Sequence, residues 1–452
     1  MNRDEEKRLE SLSPFEVKNT LIDLATDNHE KMMLNAGRGN PNWISTIPRS
    51  AFFQLGLFAL DESKNTFLLS NQMGGMAKKD GIVTRFNEFI DKNSDKEGIA
   101  LLKEVVTYSK NKLAIEPCDL LLEFCNGILG DFYPSPDRML VCCEKIVEKY
   151  LVQELSNGLT PPDGHYDLFA TEGGTAAMAY VFNTLLENKL LKKGDKIAIG
   201  TPVFSPYLEI PRLNDFEFVE VEIMSNEEDN WKIPESEVEK LLDPTIKAFF
   251  VVNPSNPPSA RIEKETIDKI KKIVSEKRKN LIILTDDVYS TFTDGFVSLV
   301  AAIPKNTIGV YSFSKYFGCT GWRLGAIAIH QDNQFDVMLK ELPKDEIQEL
   351  KDRYSSVNLD PTNMKLIDRL VADSRVVALN HTAGLSTPQQ IQMTLFALSC
   401  LIDTKNIYKK LAQSVVRKRY RLLYEASKIK PLIPEDDSNN TFYYSEIDLL
   451  EI

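Results

Sequence analysis

The residues with most chemical promise lie in YSFSKYFGCTGWRLG, Tyr311 to Gly325. Lys315 stands alone among Ser312, Ser314 and Tyr316 just past an apolar run. An amine in such a setting loses solvation, sheds its proton more easily and becomes a nucleophile. Arg323, eight residues on, offers a planar fork for a phosphate, and Ser312 adds a hydroxyl. A lone lysine is by default a surface residue; Lys315 is set apart by its neighbours.

Three further segments carry polar groups at comparable places. LIILTDDVYSTF, 281 to 292, puts Asp286 and Asp287 at the end of an apolar run, with Tyr289 three residues after Asp286. A carboxylate buried there needs a cation or a shared proton, which a protonated ring nitrogen would supply. An acidic helix start stabilised by the helix dipole is the plainer alternative. VVNPSNPPSARI, 251 to 262, contains two Asn-Pro steps that force turns. Asn256 could donate to a phenolate oxygen or serve only the turn. TEGGTAAMAYVFNTLL, 171 to 186, begins a helix with Gly173, Gly174 and Thr175. The free N–H groups of a helix N-terminus suit a phosphate, although Gly and Thr also serve simple capping. A fourth segment, NAGRGNPNWISTIPR (35–49), is rich in Gly and Pro and breaks regular structure, as a site loop or a connector would.

These segments need a scaffold that brings strand ends together. From about residue 167, strand-length apolar runs alternate with helical stretches: 196–200, 247–252, 281–285, 307–313 and 325–329. Without strict alternation, such runs are strands buried on both faces of a mainly parallel sheet. The stretch 262–279 is periodic enough for a crossover helix. This predicts an α/β domain with helices on both sides of the sheet and ligands beyond the strands' carboxyl ends. The spacing also predicts helical patterning within 1–34, a polar helical insertion at 331–374, and long helices over 388–402 and 404–428. The closing YYSEIDLLEI reads as a strand-like run.

The chain has 452 residues and a net charge of −12, which argues against nucleic acid as a partner. No apolar run approaches the about 20 residues of a membrane helix. The charged start MNRDEEKRLE is no secretory signal. Six scattered cysteines without a paired C-x-x-C set give no zinc site and suit a reduced, cytoplasmic setting. Cys142 and Cys143 read as small apolar residues in a helix.

Taken together, SFSK followed by GWRLG, with the other motifs in the same order, resembles the cofactor-lysine pattern of fold-type I pyridoxal-phosphate (PLP) enzymes of the aspartate aminotransferase family. The likeness runs from about residue 35 to the end. NAGRGNPNW (35–43), GDFYPSPDRML (130–140), ATEGGTAAM (170–178), LNHTAGLSTPQQ (379–390) and the insertion narrow it to the aspartate 4-decarboxylases. The resemblance implies the fold-type I PLP transferase fold, with a mainly parallel sheet flanked by helices and a smaller α/β domain. Residues 1–100 would form an arm and part of that small domain, 101–390 the large domain, and 391–452 the start of the C-terminal part of the small one.

The resemblance also implies roles. Lys315 would bind pyridoxal 5'-phosphate covalently and act as the catalytic base. Asp286 would face the ring nitrogen, and Asn256 and Tyr289 the 3-oxygen. Gly173, Gly174, Thr175, Ser312 and Arg323 would hold the phosphate. Phe204 would stack on the ring. Tyr133 would reach the phosphate of a neighbouring subunit, which implies a homodimer with shared sites and room for a higher oligomer of dimers. Gly39, Arg38 and Thr382 would lie near the amino-acid substrate, with Lys18 a weaker candidate and Arg375 either a ligand or an ion-pair residue. The implied reaction converts L-aspartate to L-alanine and carbon dioxide, with aminotransferase side activity. A plain aspartate or alanine aminotransferase is the alternative. The family's chains run on by several tens of residues beyond this one, so the expectation includes a small domain incomplete at the C-terminus. It also includes no assignable arginine for the substrate α-carboxylate, and a PLP-binding chain with little turnover as a third possibility.

Overall fold

A computed structural model describes residues 9, 12, 14–26, 39–66, 73–157, 163–212, 216–375 and 384–447. Its centre is a seven-stranded sheet: β1 (Tyr166–Thr171), β2 (Lys196–Thr201), β3 (Val219–Met224), β4 (Ile246–Val252), β5 (Ile282–Asp286), β6 (Thr307–Ser312) and β7 (Gly325–His330). The spatial order is β1-β7-β6-β5-β4-β2-β3. The pairs from β3 through β6 are parallel, while β7 runs antiparallel to both β6 and β1.

Burial on both faces explains the unbroken apolar runs. Alternate residues of one strand enter different cores. Phe250 and Val252 join one cluster with Ile282 and Leu284. Phe249 and Val251 join the opposite one with Ile283 and with Ile267 and Ile270 of the helix Lys264–Glu276. A third cluster gathers helices Ile47–Thr66, Pro117–Leu129, Val141–Ser156 and Thr387–Ile402. Cys142 and Cys143 are buried in the third of these helices, as small apolar residues would be.

The polar insertion is helical, with Gln334–Lys340, Lys344–Tyr354 and Leu366–Asp373. A buried knot fastens it to the sheet's flanking helix Gly174–Glu187. The Asn188 amide, at that helix's C-cap, donates to the Tyr354 hydroxyl at 2.7 Å and to Asp373 at 3.0 Å. Arg369 donates back to Asn188 Oδ1 at 3.1 Å. The ordinary cost of burying these groups is offset because each finds a partner.

The expected crossover helix and both late helices are present, over Lys264–Glu276, Thr387–Ile402 and Ile407–Ser427. Of the strand expected over the closing residues 443–452, the described part, 443–447, is not a strand, and 448–452 lie outside the described residues; one bridge nearby joins Ala260 to Asn440. Phe442 sits at φ 57°, which breaks an extended run. The Thr441 and Tyr444 N–H groups go to Ser259 instead, at 2.8 and 3.0 Å. Among the described residues no helix is long and apolar enough to cross a membrane.

Candidate active site

The carboxyl ends of β5 and β6 are Asp286 and Ser312, and Asn256 follows β4 by four residues. Parallel neighbours deliver these side chains to one edge of the sheet. There they line a cavity of about 740 Å³ together with Gly39, Gly174, Thr175, Phe204, Tyr207, Tyr289, Lys315, Arg323 and Tyr444.

Lys315 donates to the Gly39 carbonyl at 2.8 Å. Burial lowers its pKa to about 8, with Arg323 adding to the effect and Asp286 opposing it. Asp286 is buried, which pushes its carboxyl up to about 6. Two donors hold its oxygens: the Tyr207 hydroxyl on Oδ2 at 2.5 Å and the Val288 N–H on Oδ1 at 3.1 Å. Its neighbour Asp287 points elsewhere, to Thr285 at 2.9 Å and Ser298 at 2.5 Å, and its burial raises it to about 7. The adjacent acids thus divide, one facing the cavity and one packed beneath it.

At the other end, Gly173 stands at φ 94° and ψ 172°, open to glycine alone. A Cβ there would meet Arg323 Nη2 at 2.7 Å, so the guanidinium lies directly over the turn. Arg323 is itself in left-handed geometry, φ 57°, and donates to Thr320 O at 3.1 Å. Gly174 and Thr175 open the helix, whose first N–H groups have no intrahelical partner. Ser312 Oγ donates to Ser314 Oγ at 3.0 Å.

A third side is aromatic. Phe204 meets Tyr207 edge-on, with centroids 5.4 Å apart. The Asn256 amide donates to the Tyr289 hydroxyl at 3.4 Å, and that hydroxyl lies 2.7 Å from Tyr444's. Tyr443 donates to the Gly39 carbonyl at 2.9 Å. Sequence reasoning missed Tyr207, Tyr443 and Tyr444. Tyr207 lies three residues after Phe204, a helical turn that could have pointed to it.

Gly39, Gly173, Gly174, Thr175, Phe204, Asn256, Asp286, Tyr289, Ser312, Lys315 and Arg323 are therefore brought around one cavity. Tyr133 is not among its lining residues; 74% of it is exposed. Arg375 is paired with Asp137 and does not line the cavity. Arg38, Thr382 and the Lys18 side chain lie outside what the structure describes.

A buried carboxylate at one end, anion-binding groups at the other and a half-buried amine between them fit pyridoxal phosphate, a ring nitrogen and a phosphate on one rigid frame. The fold and this site define a PLP-dependent enzyme, and the chain belongs to the class I and II aminotransferase family, whose model matches residues 165–417. It is 50% identical over 447 residues to a bifunctional aspartate aminotransferase and L-aspartate beta-decarboxylase of a Pseudomonas species, spanning 99% of this chain and 83% of that protein. An aspartate aminotransferase of Pyrococcus horikoshii is 30% identical over 154 residues, 33% of this chain and 38% of its own. Among solved structures, a Pyrococcus protein named A1 superposes with a TM-score of 0.56 at 18% identity, over 95% of this chain and 80% of its own. A Thermus thermophilus aspartate aminotransferase mutant gives 0.50 at 19%, over 74% and 75%. These two likenesses speak to the fold.

Proposed function

We propose that the chain converts L-aspartate to L-alanine and carbon dioxide with pyridoxal phosphate, with aspartate aminotransferase as a side activity. The observation that carries this is the meeting of Lys315 and Asp286 in one cavity, in a chain half identical over nearly its whole length to a protein named for both activities.

Bound pyridoxal phosphate supplies an electron sink for the pair released at the amino acid's α-carbon. The remaining work falls to side chains. Lys315, with its lowered proton affinity, attaches the cofactor and, once displaced by substrate, takes the α-proton and returns it. Asp286, held by Tyr207 and Val288, keeps a proton on the ring nitrogen. Asn256 and Tyr289 donate toward the 3-oxygen. Arg323, Ser312 and the helix start at Gly174 hold the phosphate, and Phe204 covers the ring. Gly39, Arg38 and Thr382 serve the substrate. Loss of the β-carboxylate as carbon dioxide leaves its electron pair on the β-carbon, where a proton replaces it.

The protein works in the cytoplasm as a homodimer, with Tyr133 turned toward the partner's phosphate. The exposure of Tyr133 supports this, as do Phe53, Leu57 and Leu60, exposed on one face of the helix Ile47–Thr66. Residues 101–390 form the large domain of this reading.

The test is aspartate with no added keto acid. Alanine and carbon dioxide in equal amounts are expected. Consumption that strictly requires 2-oxoglutarate would favour the plain aminotransferase, a reading that the family match also supports.

A further inference from the structure

Tyr444 belongs to none of the motifs that define the site, yet its hydroxyl lies within it. The segment that carries it is fixed by the turn after Asn256: Tyr444 N–H donates to Ser259 Oγ, and Asn440 donates to the Pro258 carbonyl at 3.0 Å. A Cβ placed on Gly39 would stand 2.3 Å from the Tyr444 hydroxyl and 2.8 Å from Lys315 Nζ. The phenol and the amine therefore flank the same glycine. On its other side Tyr444 lies 2.7 Å from the hydroxyl of Tyr289, with the Asn256 amide facing both phenols.

A phenol has one proton to give. In the loaded enzyme proposed above, on which this inference rests, Tyr289 spends its proton on the cofactor's 3-oxygen. Its contact with Tyr444 must then run the other way, with Tyr444 donating and Tyr289 accepting. Chains of this kind polarise along their length, so the last donor becomes stronger. A stronger donor stabilises negative charge on the 3-oxygen and lessens the hold of that oxygen on the nearby Lys315 proton. We propose that Tyr444 is a positioning residue that acts through Tyr289 to make the Lys315 nitrogen of the loaded enzyme release its proton at lower pH. The charged and titratable groups around this chain are Asp286 and Arg323 on the Lys315 side, and on the other side Tyr443, which packs against Tyr444 and is itself faced by Arg419.

The experiment uses the full chain loaded with pyridoxal phosphate, without substrate. The cofactor's absorbance is titrated against pH in wild type, Tyr444→Phe, Tyr289→Phe and the double variant. Phenylalanine keeps the ring packing against Tyr289 and Tyr443, at centroid distances of 5.5 and 5.1 Å. The midpoint in Tyr444→Phe should rise by about half to one pH unit, roughly three- to tenfold in proton affinity, the scale of one hydrogen bond. The double variant should match Tyr289→Phe alone, because residues acting through one another are not additive. An unmoved midpoint in Tyr444→Phe, or a double variant shifted by the sum of the two, overturns the proposal while leaving the cofactor reading intact. A wild-type chain that takes up no pyridoxal phosphate overturns both.

Discussion

Lys315 and Gly39, 276 positions apart in the chain, are joined by one hydrogen bond from the amine to the carbonyl oxygen at 2.8 Å. The loop near one end of the sequence thus rests on the buried amine of another segment. When the lysine turns to a cofactor it must leave this carbonyl, where the Tyr443 hydroxyl remains as a second donor at 2.9 Å. The loop keeps a tether while the amine is freed.

Replacing Lys315 removes the one amine facing Asp286 among the cavity's described lining residues. Lys315→Ala is expected to lose cofactor on dialysis and to lose turnover by about three orders of magnitude or more. Absorbance after dialysis and an alanine assay read the two effects separately. Retained turnover near wild type would remove Lys315 from its catalytic role.

The lowered proton affinity of Lys315 sets a pH for loading. Its neutral form attacks the cofactor, and that form predominates above about pH 8, where an ordinary lysine would need about 10.5. The rate at which cofactor-free protein takes up pyridoxal phosphate should climb with pH and level off near 8. A rate still climbing steeply past pH 9 would show that burial does not act on this amine as described.

Asp286 gives a prediction of sign. Its folded-state pKa is raised above 3.8, to about 6, so the folded chain binds its proton more tightly than the unfolded chain does. That contribution to stability is complete below pH 3.8 and is lost as pH rises through 6. Asparagine has no proton to lose. In cofactor-free protein, Asp286→Asn should therefore gain in melting temperature relative to wild type between pH 4 and pH 7. In loaded protein the same change should cut turnover by at least about a hundredfold, the scale of losing one electrostatic partner at a reacting centre.

Gly173→Ala tests the phosphate end. The backbone at φ 94° resists any Cβ, and the new methyl would press on Arg323. A strain of about 1–3 kcal/mol is expected, shared between lower stability and weaker cofactor binding. Equilibrium dialysis should show roughly a tenfold or greater loss of affinity, with a fall in melting temperature.

Much of this architecture was legible in the residues. The runs that became β2, β4, β5, β6 and β7 are largely apolar because both faces are covered; Asp286 ends β5, and Asn256 and Lys315 lie just past the ends of β4 and β6. Two strands were hidden for opposite reasons. β1 contains Asp167, a buried carboxylate tied to Arg138 at 3.1 Å and Lys365 at 3.0 Å. A charge in a core strand reads as a break until its partners are known. β3, VEVEIM, lies at the sheet's edge with both glutamates out of the core, so no continuous apolar run betrays it. Tyr207 left one faint signal, its place a helical turn after Phe204, while Tyr444 left none: it reaches the site through a contact with Tyr289 that only the folded chain makes.

The knot at Asn188 has a mechanical meaning. It grips the far end of the helix whose opposite tip is Gly174, a rod of 14 residues and so about 20 Å long. Because a helix is stiff along its axis, the outlying segment of residues 334–373 clamps the lever whose tip presents N–H groups to the proposed phosphate site. Loosening Tyr354 or Arg369 would let that lever swing, and the damage would surface two nanometres away as a cofactor held less firmly.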